Sequence, residues 1–286
     1  MIKIIECPRD AMQGIKQYIP VADKVRYLQS LIEVGFDTLD CGSFVNPKAV
    51  PQMADTAKVL DSLDLDKSET EISVIVANVR GSQEAVKFSM VDILGFPFSV
   101  SETFQYRNTN ASIEEAFLRI EAIQRLCVIH NKKMLIYISM GFGNPYGDPW
   151  EPEVVGDWVR KLKELGIKDF SIADTVGLAD KESIKYIFSY LTKEFEDLNF
   201  SAHFHTSPDN WREKIEAAHQ SGCQIFEGAI KGFGGCPMAK DELVGNMPTE
   251  NIIEYFHEKD IPLNLSRQAL EKAISLSLDI FPVQVN

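Results

Sequence analysis

The sequence predicts a closed parallel (β/α)8 barrel of the TIM class, a single domain over residues 1–286 with residues 260–286 as a C-terminal helical extension. Three observations predict it. Eight short runs rich in Ile, Val and Phe alternate, end to end, with segments whose apolar residues recur at helix spacing. Eight βα units in about 250 residues are what a closed ring requires, whereas a doubly wound open sheet usually has fewer strands and a Gly-rich first turn. The first turn here, Pro8-Arg9-Asp10-Ala11-Met12-Gln13, carries no such glycine pattern.

Taken in order, the strands are Ile2 to Cys7, Phe36 to Ser43, Glu71 to Ala77, Met90 to Phe98, Lys133 to Met140, Asp169 to Thr175, Phe200 to Thr206 and Gln224 to Ile230. Near-continuous apolar runs of this length suit strands buried on both faces. Between them, Val21, Val25, Leu28 and Ile32, or Ile113, Phe117, Ile120 and Ile123, lay one apolar stripe along a helix. Ser112 with Glu115 forms a capping box, and Pro20, Pro152 and Pro208 mark first helical turns. Gly35, Gly166 and Gly222 each follow a helical stretch, where a left-handed cap turns the chain into the next strand. No linker rich in Pro, Gly or Ser separates a second domain. The tail reads as a further apolar helix from Ser266 to Leu278. It ends in Ile280-Phe281-Pro282-Val283, apolar enough to dock on the barrel or on another subunit.

Charge narrows the function classes. Twenty-nine Lys and Arg stand against 42 Asp and Glu, a net charge of −13 that matches neither nucleic acid nor an anionic membrane surface. With 45% hydrophobic and 25% charged residues the chain has the material for a large core, which excludes disorder over most of its length. No apolar run approaches the roughly 18 residues of a membrane span, and Glu6 interrupts the place a signal peptide would need. Five cysteines, an odd number with no Cys-x-x-Cys pair, argue against a disulfide framework or a zinc finger and for the reduced cytoplasm.

In such barrels the chemistry sits where strands end and βα loops begin. Arg9, Asp10 and Gln13 follow strand one, Asp40 and Ser43 end strand two, and Asp174 ends strand six. His203 and His205 lie on strand seven, and Gly232 to Pro237 follow strand eight. Residues two apart on a strand face one side, so His203 and His205 can bring two imidazoles to one ion, although a His-x-His pair also occurs as satisfied core histidines. Asp10 adds a carboxylate, and Asn246 an amide oxygen. This set suits a six-coordinate Mg²⁺ or Mn²⁺, with Co²⁺ and Zn²⁺ as further fits. Arg9 is either a surface partner of Asp10 or, at the barrel mouth, a fixed donor for a developing enolate. Cys236, on a Gly-hinged loop, is a thiol that loop closure can carry into the site. Asp40 and Asp174 serve equally well as helix caps.

Several of these segments match a known pattern in order along the chain. Cys7-Pro8-Arg9-Asp10-Ala11-Met12-Gln13, Gly42-Ser43-Phe44-Val45-Asn46-Pro47-Lys48-Ala49-Val50-Pro51-Gln52-Met53, Asp174-Thr175-Val176-Gly177, His203-Phe204-His205, Gly234-Gly235-Cys236-Pro237 and Gly245-Asn246 resemble the 3-hydroxy-3-methylglutaryl-CoA lyase family over nearly the whole chain. Arg9-Asp10 and His-x-His are shared with the wider DRE-TIM metallolyase superfamily, which includes isopropylmalate and homocitrate synthases. The Ser43 to Met53 and Gly234 to Pro237 motifs are specific to the lyase branch. The resemblance implies that Asp10, His203, His205 and Asn246 bind a divalent metal, that Arg9 stabilises the enolate and that Cys236 takes part in catalysis. It places Ser43 and Asp174 in the substrate site and Gln13 close to the metal.

Three departures accompany the match. Asp40, counted with the catalytic residues, stands where the family has Glu, a difference in reach of about an ångström. Thr206-Ser207-Pro208-Asp209 replaces the usual Asp-Thr and small residues, and Lys231 occupies a small-residue position, with one extra residue between Cys236 and Asn246. The implied reaction splits 3-hydroxy-3-methylglutaryl-CoA into acetoacetate and acetyl-CoA, with His203 or a metal-bound water as base and Lys48 near the CoA phosphates. The alternatives are a related lyase or aldolase on another 3-hydroxyacyl-CoA or hydroxy-dicarboxylate, and a non-catalytic barrel that binds a CoA ester. A homodimer is a further expectation, common for such barrels.

Overall fold

The computed structural model describes residues 1–66, 68–235 and 245–281. Eight strands form the wall: β1 (Lys3–Glu6), β2 (Thr38–Ser43), β3 (Glu71–Ile75), β4 (Val91–Ser99), β5 (Lys133–Ser139), β6 (Asp169–Asp174), β7 (Asn199–Thr206) and β8 (Ile225–Gly228). Each is parallel to its sequence neighbour, and β1 pairs with β8, so the ring closes as a (β/α)8 barrel without a free edge. The helices are α1 (Pro8–Gln13), α2 (Val21–Ile32), α3 (Thr56–Leu60), α4 (Val79–Ala85), α5 (Glu102–Thr109), α6 (Ile113–Ile129), α7 (Pro152–Glu164), α8 (Lys181–Glu194), α9 (Trp211–Gln220), α10 (Thr249–Glu258) and α11 (Arg267–Ile280). Their buried stripes and the outer faces of the strands make the main core, while Ile75, Ile93, Leu135 and Tyr137 form a second, smaller cluster. A Cβ on Gly95 would lie 2.8 Å from Ile75 and 2.9 Å from the Tyr137 ring, so glycine there makes room for the tyrosine.

The boundaries repay comparison with the sequence. The Ser112–Glu115 capping box forms, and Pro152 opens α7. Gly35, Gly166 and Gly222 adopt φ of 86°, 85° and 92°, a region that only glycine enters cheaply. Pro20 instead caps α2 from outside, and Pro208 lies in a turn before α9, whose N-cap is Asn210. The supposed first turn is helix α1, begun by Pro8 at a position where the missing N–H costs nothing. The eighth strand stops at Gly228, followed by a 3-10 turn over Ile230–Gly232. Unforeseen in the sequence is β9 (Gly245–Asn246), which runs antiparallel to the end of β7. The C-terminal helix packs on α2, and the Phe281 ring meets Tyr27 and Phe233 edge-on, both at 5.0 Å. Phe281 thus docks on its own barrel, while Pro282 and Val283 lie outside the described residues. Among the described residues no helix is long and apolar enough to cross a membrane.

Glu6 ties the first strand to the last. Its fully buried carboxyl accepts the Ile230 N–H at 2.8 Å and bonds the Thr249 hydroxyl. Burial pushes it from 4.5 up to about 8, against the pull of both hydrogen bonds. The folded chain therefore keeps a proton that the unfolded chain has released, so this contribution is full below about 4.5 and fades as pH rises towards 8. The wild type should lose about 2 kcal/mol more stability than Glu6→Gln between pH 6 and pH 8, at up to about 1.4 kcal/mol per pH unit. Urea midpoints at the two pH values check this, and equal losses would refute it.

Candidate active site

Arg9 and Asp10 sit on the first turn of α1, directly above the end of β1, and are only 8% and 7% exposed. The Arg9 Nε and Nη2 groups donate to Asp40 Oδ2 at 2.9 and 2.6 Å. Its Nη1 donates to Asp10 Oδ1 and to Gln13 Oε1, both at 2.9 Å. Gln13 lies three and four residues after this pair, on the same helix face, and returns an N–H to Asp10 Oδ1. Burial opposes the Arg9 charge, but Asp40 and Asp10 outweigh it and hold the proton more firmly than in a free guanidinium. Burial pushes the Asp40 carboxyl up to about 6 despite Arg9, and its Oδ1 is buried without a partner among the described residues.

Across the mouth, His203 and His205 project from β7 to one side, ring centroids 5.6 Å apart. His203 Nδ1 lies 2.9 Å from Glu227 Oε2, and His205 Nδ1 lies 3.0 Å from the Thr175 carbonyl. Burial disfavours the charged form of both rings. For His203 the Glu227 carboxylate reverses the balance and raises its pKa, whereas His205, facing the charge of His203, ends below its ordinary value. The β9 pairing sets Asn246 directly opposite His205, where its Nδ2 donates to Asp10 Oδ2 at 2.8 Å and to the Phe233 carbonyl at 2.9 Å.

Asp10, His203 and His205 each offer one ligand atom, and these lie within 4.8 Å of one another. The Asn246 amide lies beside Asp10, and its carbonyl oxygen is buried with no hydrogen-bond partner among the described residues, an expensive state unless something electropositive joins it. Burial works against the Asp10 charge, yet Arg9, both imidazoles and the Asn246 amide hold its carboxyl below the usual carboxylate range. A carboxylate, two imidazoles and an amide oxygen fit a divalent cation.

The other expected residues fall in different surroundings. Asp174 is 1% exposed and spent on internal partners, accepting from Lys214 Nζ at 2.6 Å and from the Ala179 N–H at 3.0 Å. Ser43 bonds the Ile75 carbonyl and the Val45 N–H, and Lys48 is exposed in the turn after β2. Cys236 and the loop up to residue 244 lie outside the described residues. Lys231 takes a left-handed conformation, φ 61°, with its N–H held by the Glu250 carboxylate.

Two residues escaped the reading of the sequence. Glu227 interrupts the apolar run Ile225 to Ile230, and a lone acid in a buried strand was the available signal. Lys214 lies on the α9 face shared by Ala217 and Ala218, a cation on a buried stripe, and its Nζ also bonds the His205 carbonyl at 2.9 Å.

Gly234 closes over this cluster at φ +91°, and a Cβ there would lie 2.6 Å from the Asp10 carbonyl oxygen and 2.8 Å from Asn246 Nδ2. Gly234→Ala should lower Mn²⁺ affinity at least about tenfold, the scale at which displaced neighbours of metal ligands act. Gly147→Ala is the control, equally left-handed at φ +77° but in open space, and should leave the affinity unchanged. Titration of Mn²⁺ by paramagnetic resonance separates the two, and equal affinities would remove Gly234 from the site.

The comparisons with known proteins agree with this geometry. The HMGL-like family model matches residues 2–276. A Pseudomonas aeruginosa 3-hydroxy-3-isohexenylglutaryl-CoA/hydroxy-methylglutaryl-CoA lyase is 30% identical, covering 95% of this chain and 90% of its own. The mouse mitochondrial hydroxymethylglutaryl-CoA lyase is also 30% identical, over 95% of this chain and 83% of that protein. Among solved structures, an HMG-CoA lyase from Acinetobacter baumannii in complex with coenzyme A and 3-methylmalate superposes with a TM-score of 0.90 at 26% identity, covering 99% of this chain and 93% of that one. The Bacillus subtilis HMG-CoA lyase gives 0.91 at 27%, over 99% and 96%. With a closed barrel, a carboxylate and two imidazoles gathered at its mouth, and a family match from end to end, the chain belongs to the HMGL-like family.

Proposed function

We propose that this protein is a divalent-metal-dependent carbon–carbon lyase that cleaves 3-hydroxy-3-methylglutaryl-CoA to acetoacetate and acetyl-CoA. The observation that carries it is the cluster of Asp10, His203 and His205 with the Asn246 amide against Asp10, its buried oxygen without a partner among the described residues, in a chain of this family. These four residues would hold Mg²⁺ or Mn²⁺, which supplies Lewis-acid polarisation of the substrate's hydroxyl and carboxylate oxygens.

The chain's own groups divide the remaining work. A guanidinium has five N–H donors, and Asp40, Asp10 and Gln13 take four of those on Arg9, so among the described residues one on Nη2 is left for a substrate oxygen. That donor sits on a cation locked in place before reaction, the arrangement that best stabilises an enolate as it forms. In this reading a water at the site accepts the proton of the tertiary hydroxyl, because His203, with its Nδ1–H held by Glu227 and its Nε2 turned to the ligand set, has no free lone pair. The carbon–carbon bond breaks to leave the acetoacetate ketone and the acetyl-CoA enolate, and Cys236 returns a proton to the enolate carbon. Asp40 holds Arg9 in position, Ser43 borders the substrate and Lys48 meets the CoA phosphates, whereas Asp174, enclosed with Lys214 and the Ala179 N–H, supports the site from behind through the Lys214 bond to the His205 carbonyl. The described barrel and the helix packed on α2 support treating residues 1–286 as one catalytic domain with 260–286 as its extension. Free, buried Cys7, Cys41, Cys127 and Cys223 support a reducing, cytoplasmic setting.

The test is acetyl-CoA release from 3-hydroxy-3-methylglutaryl-CoA by purified protein with Mn²⁺ or Mg²⁺. Chelation should cut the rate at least about a hundredfold, because the cation supplies several kcal/mol of transition-state stabilisation, and added Mn²⁺ should restore it. Tight metal binding without turnover would defeat the proposal. The name of the Pseudomonas relative, which covers two acyl groups, favours a second reading in which a longer branch is the better substrate. Comparing kcat/KM for the methyl and isohexenyl substrates decides between the two.

A further inference from the structure

Glu227 does not belong to the metal-ligand set, yet it occupies the centre of the barrel wall behind it. The β7–β8 register places it directly opposite His203, and its side chain is completely enclosed. Three groups converge on the carboxylate: His203 Nδ1 at 2.9 Å from Oε2, the Ser201 hydroxyl at 2.5 Å from Oε1, and the Cys7 thiol 3.8 Å from Oε2. Ser201 and His203 are two residues apart on β7, so both face inward and one side chain from the next strand meets them together.

A carboxylate only accepts hydrogen bonds, so the ring nitrogen it faces must be the one bearing hydrogen. We infer that Glu227 is a positioning residue for His203, holding the ring in its Nδ1–H form and presenting the Nε2 lone pair to the space shared with Asp10 and His205. His205 reaches the same tautomer by another device, the backbone carbonyl of Thr175 at 3.0 Å from its Nδ1. A backbone carbonyl survives any side-chain substitution, whereas the orientation of His203 depends on one replaceable acid. The two imidazoles therefore differ in vulnerability although their positions on the strand are equivalent. What Nε2 serves rests on the metal reading above, while the tautomer is a property of the metal-free protein.

Long-range ¹H–¹⁵N correlation spectra of histidine-labelled, metal-free protein at about pH 9, above the imidazole range, read the tautomers directly. His203 and His205 should both appear as Nδ1–H in the wild type. In Glu227→Gln, whose amide offers N–H as well as oxygen, His203 should shift to the Nε2–H form or to a mixture, with His205 unchanged. Mn²⁺ affinity should fall about 10–100-fold, as for other groups that orient a metal-ligating histidine. On the acyl-CoA substrate kcat should drop while KM stays within twofold. Ser201→Ala removes a neighbour but keeps the acceptor, so it should preserve the His203 tautomer. Glu227→Asp, a second variant should the amide fail to fold, should keep the Nδ1–H form and bind Mn²⁺ more weakly than wild type. A wild-type His203 in the Nε2–H form, or a Glu227→Gln protein with unchanged tautomer and unchanged Mn²⁺ affinity, would overturn the inference. Absence of wild-type turnover would sink the lyase reading and leave the tautomer and Mn²⁺ results standing.

Discussion

Arg9→Gln is expected to lower kcat on 3-hydroxy-3-methylglutaryl-CoA by about 10²–10³-fold, the usual cost of losing one preorganised donor at a developing oxyanion. The amide keeps a donor near Gln13 but removes the fixed positive charge. Mn²⁺ affinity should change much less, because Asp10 retains its bonds from Asn246 and Gln13. The substitution also strips Asp40 of its cation. That carboxyl, already pushed by burial to about 6, would climb further and take up a proton near neutral pH. Since its folded value lies above the unfolded one, the stability loss should grow as pH rises from about 6 to about 8. Steady-state kinetics with metal titration checks the first part. A variant that lost metal and turnover in parallel would show that Arg9 acts only by supporting Asp10.

The largest expected effect on stability comes from Lys214→Met. Lys214 and Asp174 form an ion pair with side chains 3% and 1% exposed. Removing one partner of such a pair leaves an uncompensated charge in the interior and costs about 3–5 kcal/mol, whereas replacing both with groups that need no counter-charge is often neutral. Lys214→Met alone should lower the melting temperature by about 10 °C for a chain of this size. The double variant Lys214→Met with Asp174→Asn should recover most of the loss. A double variant as unstable as the single one would mean that the Lys214 bond to the His205 carbonyl, not the ion pair, carries the effect.

Asp174 illustrates how far a motif can be read. The strand pattern placed it at the end of strand six, and it does end β6. Its partner on α9 turns the carboxylate inward, which no property of the motif announces. Lys214 is visible in the sequence only as a cation on an apolar helix face, and nothing local says which acid it meets. Asp10, His203 and His205 were easier, because strand periodicity sets the imidazoles on one side and barrel topology brings the first strand against the eighth. Asn246 matched by motif, but the β9 pairing that sets it against His205 depends on a loop returning across the mouth, a contact between segments far apart in sequence.

The amino-acid order by itself determined the alternation of strands and helices, the capping of several helices and glycine turns, and the residue types gathered on one rim. Those features follow from local propensity and periodicity, which act over a few residues. Only the tertiary structure decided which carboxylate each cation meets, that Glu227 stands behind His203, and that the Asn246 amide reaches Asp10. Such pairings depend on distance and burial between groups far apart in sequence, 236 residues for Asn246 and Asp10, and they exist only once the ring has closed.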